Sequence, residues 1–280
     1  MISARSTAKL NLTLKITGTR PDGYHLLDSL FCSVDLHDKL TITPGQDACS
    51  TVCSPEQPIV NNLATRAALL FYQQAGISGG CRIRLEKRIP MEAGLGGGSG
   101  DAAAVLKALN EHFDHPFSEE ALFALALQLG ADIPFALKGG LARVTGIGET
   151  HTHLHMRRSF SFVIAKPAQG LSTQQMYACY DESPSGLPID NDAFYRALLA
   201  LDGTAMRAYG GNDLQPAAEK HLPTIAHLQD KLYQSGALYA AMTGSGSAVF
   251  GLFPSYEQAH IAQASLHSMV PYCVCCQSLV

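Results

Sequence analysis

A glycine-rich run between residues 90 and 101 carries the strongest chemical signal in this sequence. Its letters are Pro90-Met-Glu-Ala-Gly94-Leu-Gly96-Gly97-Gly98-Ser99-Gly100-Asp101, with five glycines within seven residues. So many glycines cost backbone entropy and therefore need a structural reason. Between a predicted strand and a predicted helix, they let successive N–H groups converge on an anion at the helix N-terminus. The run predicts a phosphate-binding loop, and a flexible linker is the alternative interpretation.

Two well-known nucleotide loops fit this run poorly. A P-loop requires Gly-x-x-x-x-Gly-Lys-Ser/Thr, and no lysine follows the glycines here. A dinucleotide-binding loop could use Gly98-Ser-Gly100-Asp-Ala-Ala103, but it requires a second strand that ends in an acidic residue about 20 positions later. The corresponding stretch here is Ser118-Glu-Glu, which is predicted to open a helix.

Two charged side chains stand out by their places in the predicted elements. Asp132 follows a predicted helix end at Gly130, and Pro134 favours an extended chain just after it. Lys9 shares the polar face of a predicted strand with Asn11. A carboxylate within hydrogen-bond reach can accept the proton of an attacking hydroxyl. From the pattern alone, the simpler interpretation is an exposed structural Asp and a solvent-facing Lys.

The bulk composition indicates a globular enzyme with a small substrate. The chain has 280 residues, of which 46% are hydrophobic and 16% charged, and this excludes intrinsic disorder. A net charge of −4 gives no electrostatic footprint for nucleic acid, and no Lys/Arg run indicates an anionic membrane. No signal-peptide pattern opens the sequence, and polar residues and Pro134 interrupt the most apolar segment, 121–137. A cytoplasmic protein is expected.

The sequence contains two cysteine groupings and one run of alternating histidines that are candidate metal ligands. The groups Cys49 with Cys53 and Cys273-Val-Cys275-Cys276 lack the paired spacing of a zinc ribbon. Reduced, structural thiols are therefore expected for the eight cysteines. His151, His153 and His155 would share one face of a strand, and a solvated face is the simpler interpretation than a weak metal site.

Hydrophobic periodicity and turn residues predict strands and helices in no regular alternation. In the first half, the predicted strands are 8–17 (half-buried), 26–36, 81–87 and 141–147, the predicted helices are 62–74, 102–113 and 118–130, and 49–58 is a loop. Asn61 or Asn62 is the predicted cap of the first helix, and Gly76 is its predicted stop. In the second half, the predicted helices are 173–180, 192–201, 216–234 and 255–269, and the predicted strands are 160–166, 239–242, 248–253 and 272–276. This order indicates an α+β fold with a boundary near 147–160, and therefore domains 1–150 and 151–280.

Residues 90–103 resemble the Pro-x-x-x-Gly-Leu-Gly-Ser-Ser-Ala-Ala loop of the GHMP kinases, a family that includes galactokinase, homoserine kinase and mevalonate kinase. Further segments match in the same order along nearly the whole chain: Ala8-Lys-Leu-Asn-Leu12, Arg20-Pro-Asp-Gly-Tyr-His25, Leu129-Gly-Ala-Asp-Ile-Pro134, Asn212-Asp213 and Thr243-Gly-Ser-Gly246. The triple glycine and the Tyr24-His25 turn resemble the members that phosphorylate a cytidine-diphosphate-linked methylerythritol in isoprenoid precursor synthesis. The resemblance implies an N-terminal domain like the second domain of ribosomal protein S5 and a ferredoxin-like C-terminal domain.

The resemblance also implies a reaction and a set of residues that perform it. The γ-phosphoryl of ATP, with Mg²⁺, would move to the tertiary 2-hydroxyl of the substrate, with Asp132 as the base and Lys9 as its cationic neighbour. The implied ATP-binding residues are Pro90, Gly94, Leu95, Gly96, Gly97, Gly98, Ser99 and Gly100, with Lys87 and Asn62 around the adenosine. The implied substrate-binding residues are Asn11, Tyr24, His25, Thr173, Tyr177, Thr243, Gly244 and Ser245, with Tyr24 and Tyr177 stacking on the cytosine and His25 bonding its edge.

Three positions depart from the family pattern near the predicted phosphate loop. Gly100 stands where the family usually has a second Ser, Asp101 replaces an Asn, and Glu92 replaces a common Gly. The resemblance gives no oligomeric state, no protein ligand of Mg²⁺ and no role for the Cys273–Cys276 cluster. Another small-alcohol GHMP kinase such as homoserine kinase, and a non-catalytic nucleotide-binding regulator, are the alternative functions.

Overall fold

The computed structural model describes residues 1–53, 57–58 and 62–280. Its helices are α1 (Leu63–Ala75), α2 (Gly97–His112), α3 (Glu119–Leu129), α4 (Ile133–Lys138), α5 (Thr173–Glu182), α6 (Asn191–Ala200), α7 (Gly203–Tyr209), α8 (Gln215–His221), α9 (Thr224–Gln234) and α10 (Tyr256–Leu266). Its strands are β1 (Ile2–Thr19), β2 (His25–Gly45), β3 (Ser50–Cys53), β4 (Gln57–Pro58), β5 (Gly80–Glu86), β6 (Leu141–Gly146), β7 (Thr150–Leu154), β8 (Ser161–Lys166), β9 (Tyr239–Met242), β10 (Val249–Phe253) and β11 (Tyr272–Gln277). In the described parts of the chain, no helix is both long and apolar enough to cross a membrane.

The chain forms two compact units that interleave in sequence. The first unit contains residues 1–8, 36–89 and 96–139, and the second contains residues 9–35, 90–95 and 140–280. The long strands β1 and β2 therefore contribute residues to both units. The mixture of helices with largely antiparallel strands confirms the expected α+β class.

The first unit packs α1, α2 and α3 against strands β3 and β5. The end of β2 pairs antiparallel with β5 from Lys39 to Gly45, and β3 pairs parallel with β5. Along β5 every second residue is buried and the arginines between are exposed, which leaves one apolar face for the helices. Phe71 of α1 and Leu109 of α2 fill the core under that face.

Two predictions for the first unit are wrong at the level of elements. The segment 49–58 was expected to be a loop, but it contains β3; its Ser, Thr and Cys residues gain a partner strand, which turn propensity does not record. Asn62 caps α1 and Gly76 ends it in the left-handed conformation, as expected. Asn61 lies outside the described residues. The second helix begins at Gly97 rather than at residue 102, so the glycines form its first turn.

The second unit contains a four-stranded antiparallel sheet in the order β11-β8-β10-β9. Helices α5 to α9 connect β8 to β9, and α10 connects β10 to β11. Numbered along the chain, the strands lie in the order 4-1-3-2, which is the ferredoxin-like arrangement that was expected. β8 and β10 are buried over their whole length, and α9 and α10 cover one face of the sheet.

The second unit also contains most of β1 and the first half of β2, which pairs with β6. The prediction of a half-buried β1 is wrong, because all residues from Ala8 to Leu14 are buried. The polar side chains on its second face are buried because they find partners; Thr13, for example, hydrogen-bonds Asn191. The predicted helix 216–234 is two helices, since the chain breaks at Leu222 and Pro223 between α8 and α9.

Candidate active site

The N-terminus of α2, in the first unit, contains the glycines that were predicted to bind phosphate. Gly96 is the N-cap with φ of 69°, a left-handed conformation that glycine adopts without strain, and its carbonyl accepts from Gly100 N at 2.8 Å. The first N–H groups of a helix, here those of Gly97, Gly98 and Ser99, have no acceptor within the helix. α2 is 16 residues long, so its dipole also favours an anion at this end.

The glycines of this first turn serve two different purposes. A Cβ added at Gly100 would lie 2.7 Å from Ser6 Oγ and 2.8 Å from the Thr7 carbonyl oxygen, so Gly100 permits close packing of the helix against β1. A Cβ at Gly98 would meet only Leu63 Cδ1, at 3.6 Å, which is ordinary contact. The departure at Gly100 therefore has a packing reason, whereas Gly98 is sterically open.

Lys87 lies in a buried charge cluster beside this turn. Its Nζ donates to Asp38 Oδ2 at 2.5 Å and to Asp101 Oδ2 at 3.0 Å. Asp38 is fully buried, and its other oxygen accepts from the backbone N–H groups of Arg88 and Ile89. The cluster ties the end of β5 to the first turns of α2. Sequence reasoning missed Asp38, and took Asp101 only as a replacement for Asn.

Two carboxylates share a single ammonium in this cluster, and the pKa values of Asp101 and Lys87 respond to that. Burial raises the pKa of Asp101 to about 6, against the attraction of Lys87, and the nearby charge of Asp38 acts in the same direction as burial. Burial alone would lower the pKa of Lys87, but Asp101 and Asp38 together raise it above the ordinary value. Asn62, the other residue predicted near the adenosine, accepts from Ala64 N at 2.7 Å as the cap of α1.

Asp132 occupies the N-cap position of α4, in the first unit. Its backbone is already helical (φ −80°, ψ −14°), so the expectation that Pro134 makes the following chain extended is wrong. Proline is accepted in the first turn of a helix because its missing N–H would have no acceptor there. The Asp132 side chain is half-buried.

Lys9 lies in the second unit and is buried, with 8% of its surface exposed. Its Nζ donates to Asn11 Oδ1 and lies 4.7 Å from the centroid of the Phe31 ring. Asn11 in turn donates from Nδ2 to Ser29 Oγ at 3.1 Å. The simpler sequence interpretation, a solvent-facing lysine, is therefore wrong. Burying an ammonium is costly unless it is hydrogen-bonded, and Asn11 and the aromatic face of Phe31 supply its partners.

The segment before the glycine-rich turn is hydrogen-bonded to the loop after β9, within the second unit. Thr243 Oγ1 accepts from Asn11 N at 2.9 Å and donates to the Gly94 carbonyl oxygen at 3.2 Å. The backbones also meet, because Ser247 N and Ala248 N donate to the carbonyl oxygens of residues 92 and 93. Gly94 has φ of 73°, and a Cβ there would lie 2.0 Å from the Thr243 carbonyl oxygen. Glycine is therefore required at 94.

Several other predicted residues lie along the same loop. Gly244 has φ of 56°, and a Cβ there would lie 3.0 Å from the Gly94 carbonyl oxygen. Ser245 Oγ and Thr173 Oγ1, at the start of α5, are 2.8 Å apart. Asn212 Nδ2 donates to the carbonyl oxygens of Met242 and Gly244, each at 2.8 Å, and so braces the loop. Leu95 is buried, and its carbonyl oxygen accepts from Lys9 N at 3.0 Å; Pro90 is half-buried.

His25 and Tyr177 form a stacked pair in the second unit, with ring centroids 4.7 Å apart and planes 27° apart. His25 Nε2 lies 2.6 Å from Asp181 Oδ1. Tyr24, the preceding residue, is 61% exposed. Sequence reasoning missed Asp181, although its spacing of four residues from Tyr177 on a helix was an available signal.

The side chains that commonly bind metal ions are His, Cys, Asp and Glu. Within the described ranges, no group of three or more His, Cys, Asp or Glu side chains is arranged to hold a metal ion. The cysteines are free thiols, and Cys273 and Cys276 on β11 are buried. Glu92 has φ of 51° and an exposed side chain near Gly170, where a Cβ would lie 2.3 Å from Glu92 Oε2.

Comparison with known proteins identifies the family. The family model "GHMP kinases N terminal domain" matches residues 62–140, and "GHMP kinases C terminal" matches residues 193–271. The 4-diphosphocytidyl-2-C-methyl-D-erythritol kinase of Desulfitobacterium hafniense is 44% identical over 90% of this chain and 87% of its own. The chain belongs to the GHMP kinase family. Members of this family use ATP as the phosphate donor.

Two further matches cover nearly the whole chain. The 4-diphosphocytidyl-2-C-methyl-D-erythritol kinase of Pelotomaculum thermopropionicum is 41% identical over 92% of this chain and 91% of its own. A crystal structure of 4-(cytidine 5'-diphospho)-2C-methyl-D-erythritol kinase superposes with a TM-score of 0.85 and 34% identity, covering 99% of both chains. The expected two-domain GHMP kinase fold is therefore confirmed.

Proposed function

We propose that this chain transfers the γ-phosphoryl group of ATP to the 2-hydroxyl of 4-diphosphocytidyl-2-C-methyl-D-erythritol. The observation that carries the proposal is that residues implied for the substrate by the family resemblance are hydrogen-bonded to one another, Asn11 to Thr243 and Thr173 to Ser245. Relatives that bear the name of this kinase, 44% and 41% identical, support the same acceptor. No contact in the described residues favours homoserine or a purely regulatory role.

On the donor side, the first turn of α2 would bind the phosphates of ATP. The N–H groups of Gly97, Gly98 and Ser99 can donate to phosphate oxygens, and the helix dipole adds to the attraction. The remaining residues of the proposed ATP site are Pro90, Gly94, Leu95, Gly96 and Gly100, with Lys87 and Asn62 toward the adenosine. Because Lys87 already pairs with Asp38 and Asp101, its contribution would be to hold this turn in place.

Mg²⁺ is proposed to enter with the nucleotide. Mg²⁺ usually takes most of its ligands from phosphates and water and only one or two from the protein, so the Ser99 hydroxyl in the first turn of α2 fits as a protein donor. Bound there, the ion would neutralise charge on the transferring phosphoryl group.

On the acceptor side, Asp132 and Lys9 are proposed for the chemistry. Asp132 would accept the proton of the attacking hydroxyl as the bond to phosphorus forms. Lys9 would stabilise the ionised carboxylate and the developing alkoxide, and its bonds to Asn11 keep the ammonium oriented. Phosphoryl transfer depends mostly on positioning and charge stabilisation, so both groups act mainly through where they are held.

Recognition of the cytidine is proposed for the second unit. Tyr24 and Tyr177 would stack on the cytosine, and His25 would hydrogen-bond its edge. Thr173 and Ser245 present two hydroxyls together at the start of α5, while Asn11, Thr243 and Gly244 lie next to Gly94. These polar groups suit a substrate rich in hydroxyl and phosphate oxygens.

To test the proposal, the purified protein is incubated with ATP, Mg²⁺ and 4-diphosphocytidyl-2-C-methyl-D-erythritol. A parallel incubation contains homoserine in place of the cytidyl substrate. We expect ADP release with the cytidyl substrate alone, and a monophosphate ester on its 2-hydroxyl by ³¹P NMR. ADP release with homoserine and none with the cytidyl substrate would contradict the proposed acceptor.

Three predictions from the sequence remain predictions. They are the domain division at residue 150, a cytoplasmic location and a substrate that is not nucleic acid.

A further inference from the structure

Asp181, which contacts His25, lies outside the residues predicted for catalysis or binding. Asp181 Oδ1 is 2.6 Å from His25 Nε2, and the His25 side chain is only 10% exposed, whereas that of Asp181 is 55% exposed. On the same helix, one turn earlier, Tyr177 stacks on the imidazole. The ring is therefore restrained twice by α5, across its face by Tyr177 and at one nitrogen by Asp181.

We propose that Asp181 is a positioning residue that gives the site its preference for cytosine over uracil. It does so by holding His25 with the proton on Nε2, so that Nδ1 presents a lone pair to the base. This inference rests on the proposed function, in which His25 bonds the base edge.

The hydrogen-bonding chemistry of the two partners leads to this assignment. An ionised carboxylate only accepts hydrogen bonds, so the imidazole nitrogen beside Asp181 carries a proton. In a neutral imidazole the other nitrogen is then an acceptor, and the bond at one nitrogen sets the state of the other. The amino group at C4 of cytosine donates to such an acceptor. The carbonyl oxygen at the same position of uracil is itself an acceptor and finds no partner.

The size of the effect follows from leaving a polar group unpaired. A buried donor or acceptor without a partner costs ~1–3 kcal/mol, which corresponds to a preference of roughly 5- to 150-fold. Sites that hydrogen-bond a substrate group reject analogues without it for the same reason. Without Asp181, the ring can turn or exchange tautomers, and an N–H at Nδ1 would donate to the C4 carbonyl oxygen of uracil.

The test compares Asp181→Ala with Glu182→Ala, the neighbouring exposed carboxylate on the same helix, as the matched control. For each protein, kcat/KM is measured with the cytidine substrate and with its uridine analogue at mildly alkaline pH. We expect Asp181→Ala to reduce the cytidine-to-uridine ratio by ~10- to 100-fold, mainly through the KM of the cytidine substrate, with the KM of ATP unchanged. Glu182→Ala should keep the wild-type ratio.

A second measurement reads the tautomer directly, without substrate. In ¹⁵N-histidine-labelled protein, the His25 signals, identified by their loss in His25→Gln, should show a protonated Nε2 and an unprotonated Nδ1, and Asp181→Ala should mix the two forms. A proton on Nδ1 in the wild type, or an unchanged cytidine-to-uridine ratio in Asp181→Ala, would overturn the inference alone. A wild-type protein that phosphorylates neither nucleotide would overturn both this inference and the proposed function.

Discussion

The acid–base residues illustrate how each side chain depends on what holds it. Lys9 is buried against Phe31 and bonded to Asn11, so its charge is fixed in position by a strand that is buried on both faces. Asp132 begins α4 and is half-buried, which leaves its carboxylate within reach of solvent and small molecules. A buried ammonium and a half-exposed carboxylate suit the two proposed roles of stabilising charge and accepting a proton.

Asp132→Asn should fold and bind both substrates but transfer phosphate slowly. The amide keeps the shape of the side chain but cannot accept the proton, and general-base catalysis typically contributes ~10²–10⁴-fold. We therefore expect kcat to fall by that factor, with the dissociation constants of ATP and the cytidine substrate little changed. Glu111→Gln, an exposed change on α2, serves as the control. Turnover near that of the wild type would remove Asp132 from the mechanism.

His25→Ala should raise the KM of the cytidine substrate far more than the KM of ATP. The change removes a contact to the base together with the ring that stacks on Tyr177, and leaves the first turn of α2 unaltered. Steady-state kinetics with each substrate varied in turn measure both constants. An equal rise in the two constants would assign His25 a structural role.

At the scale of elements, the start of α2 combines the proposed phosphate binding with tight packing. Its N–H groups are available because it is a helix N-terminus, whereas a Cβ at Gly100 would lie 2.7 Å from Ser6 Oγ of β1. The Lys87 cluster then fixes the end of β5 to the same turn. Single substitutions at Gly98 and Gly100 can separate the proposed phosphate binding from the packing.

Gly100→Ala and Gly98→Ala should have opposite consequences. The methyl group at Gly100 collides with Ser6 Oγ and the Thr7 backbone, and overpacking of this kind typically costs ~1–3 kcal/mol of unfolding free energy. At Gly98 the added methyl makes ordinary contact, and alanine favours a helix over glycine, so stability should be kept or raised. That methyl group would stand where phosphate is proposed to bind, so ATP affinity should fall. Denaturant unfolding and ATP titration check both variants; equal stability of the two would contradict the packing argument.

Asp101 should contribute a recognisable pH dependence to stability. Its pKa is raised from 3.8 to about 6 in the folded protein, so the native state holds this proton more tightly than the unfolded chain does. The contribution to stability is therefore complete below about pH 4 and is lost as the pH rises through about 6. Asp101→Asn has no such proton, so the free energy of unfolding of the variant relative to wild type should increase between these values. A difference that stays constant across this range would show that Asp101 ionises normally.

At the scale of the whole molecule, sequence patterns predicted the features that depend on residues close together in the chain. The alternation in β5, the cap at Asn62 and the stop at Gly76 depend on neighbouring residues, and all were predicted. The strand β3 depends on its partner β5, and the burial of Lys9 depends on the Phe31 ring of another strand, so no local pattern contains them. The contact of Asp181 with His25 joins residues 156 positions apart, so it too could not be predicted from a local pattern. The roles of the predicted site residues came from the family resemblance and stay predictions.

The interleaved units lead to a prediction about fragments. Residues 151–280 expressed alone lack the segments 9–35, 90–95 and 140–150, which belong to the second unit and include most of β1, the first half of β2 and its partner strand β6. We expect this fragment to aggregate, because apolar surface normally covered by β1 and β2 becomes exposed. Co-expression with residues 1–150 should restore a soluble, folded complex, as judged by gel filtration and circular dichroism. A stable fold of 151–280 alone would contradict the interleaving.

The contact of Gly94 with Thr243 also limits how this sequence can drift over generations. Two main chains meet there, and the threonine hydroxyl bonds a carbonyl 149 positions away, so no change at one side can be accommodated by a neighbour in sequence. Any amino-acid substitution at Gly94 adds a Cβ 2.0 Å from the Thr243 carbonyl oxygen. Another residue could therefore replace glycine at position 94 only if the backbones around Gly94 and Thr243 both shifted at the same time. Residue 94 should persist while sterically open positions outside the proposed site, such as Gly45, exchange among small residues.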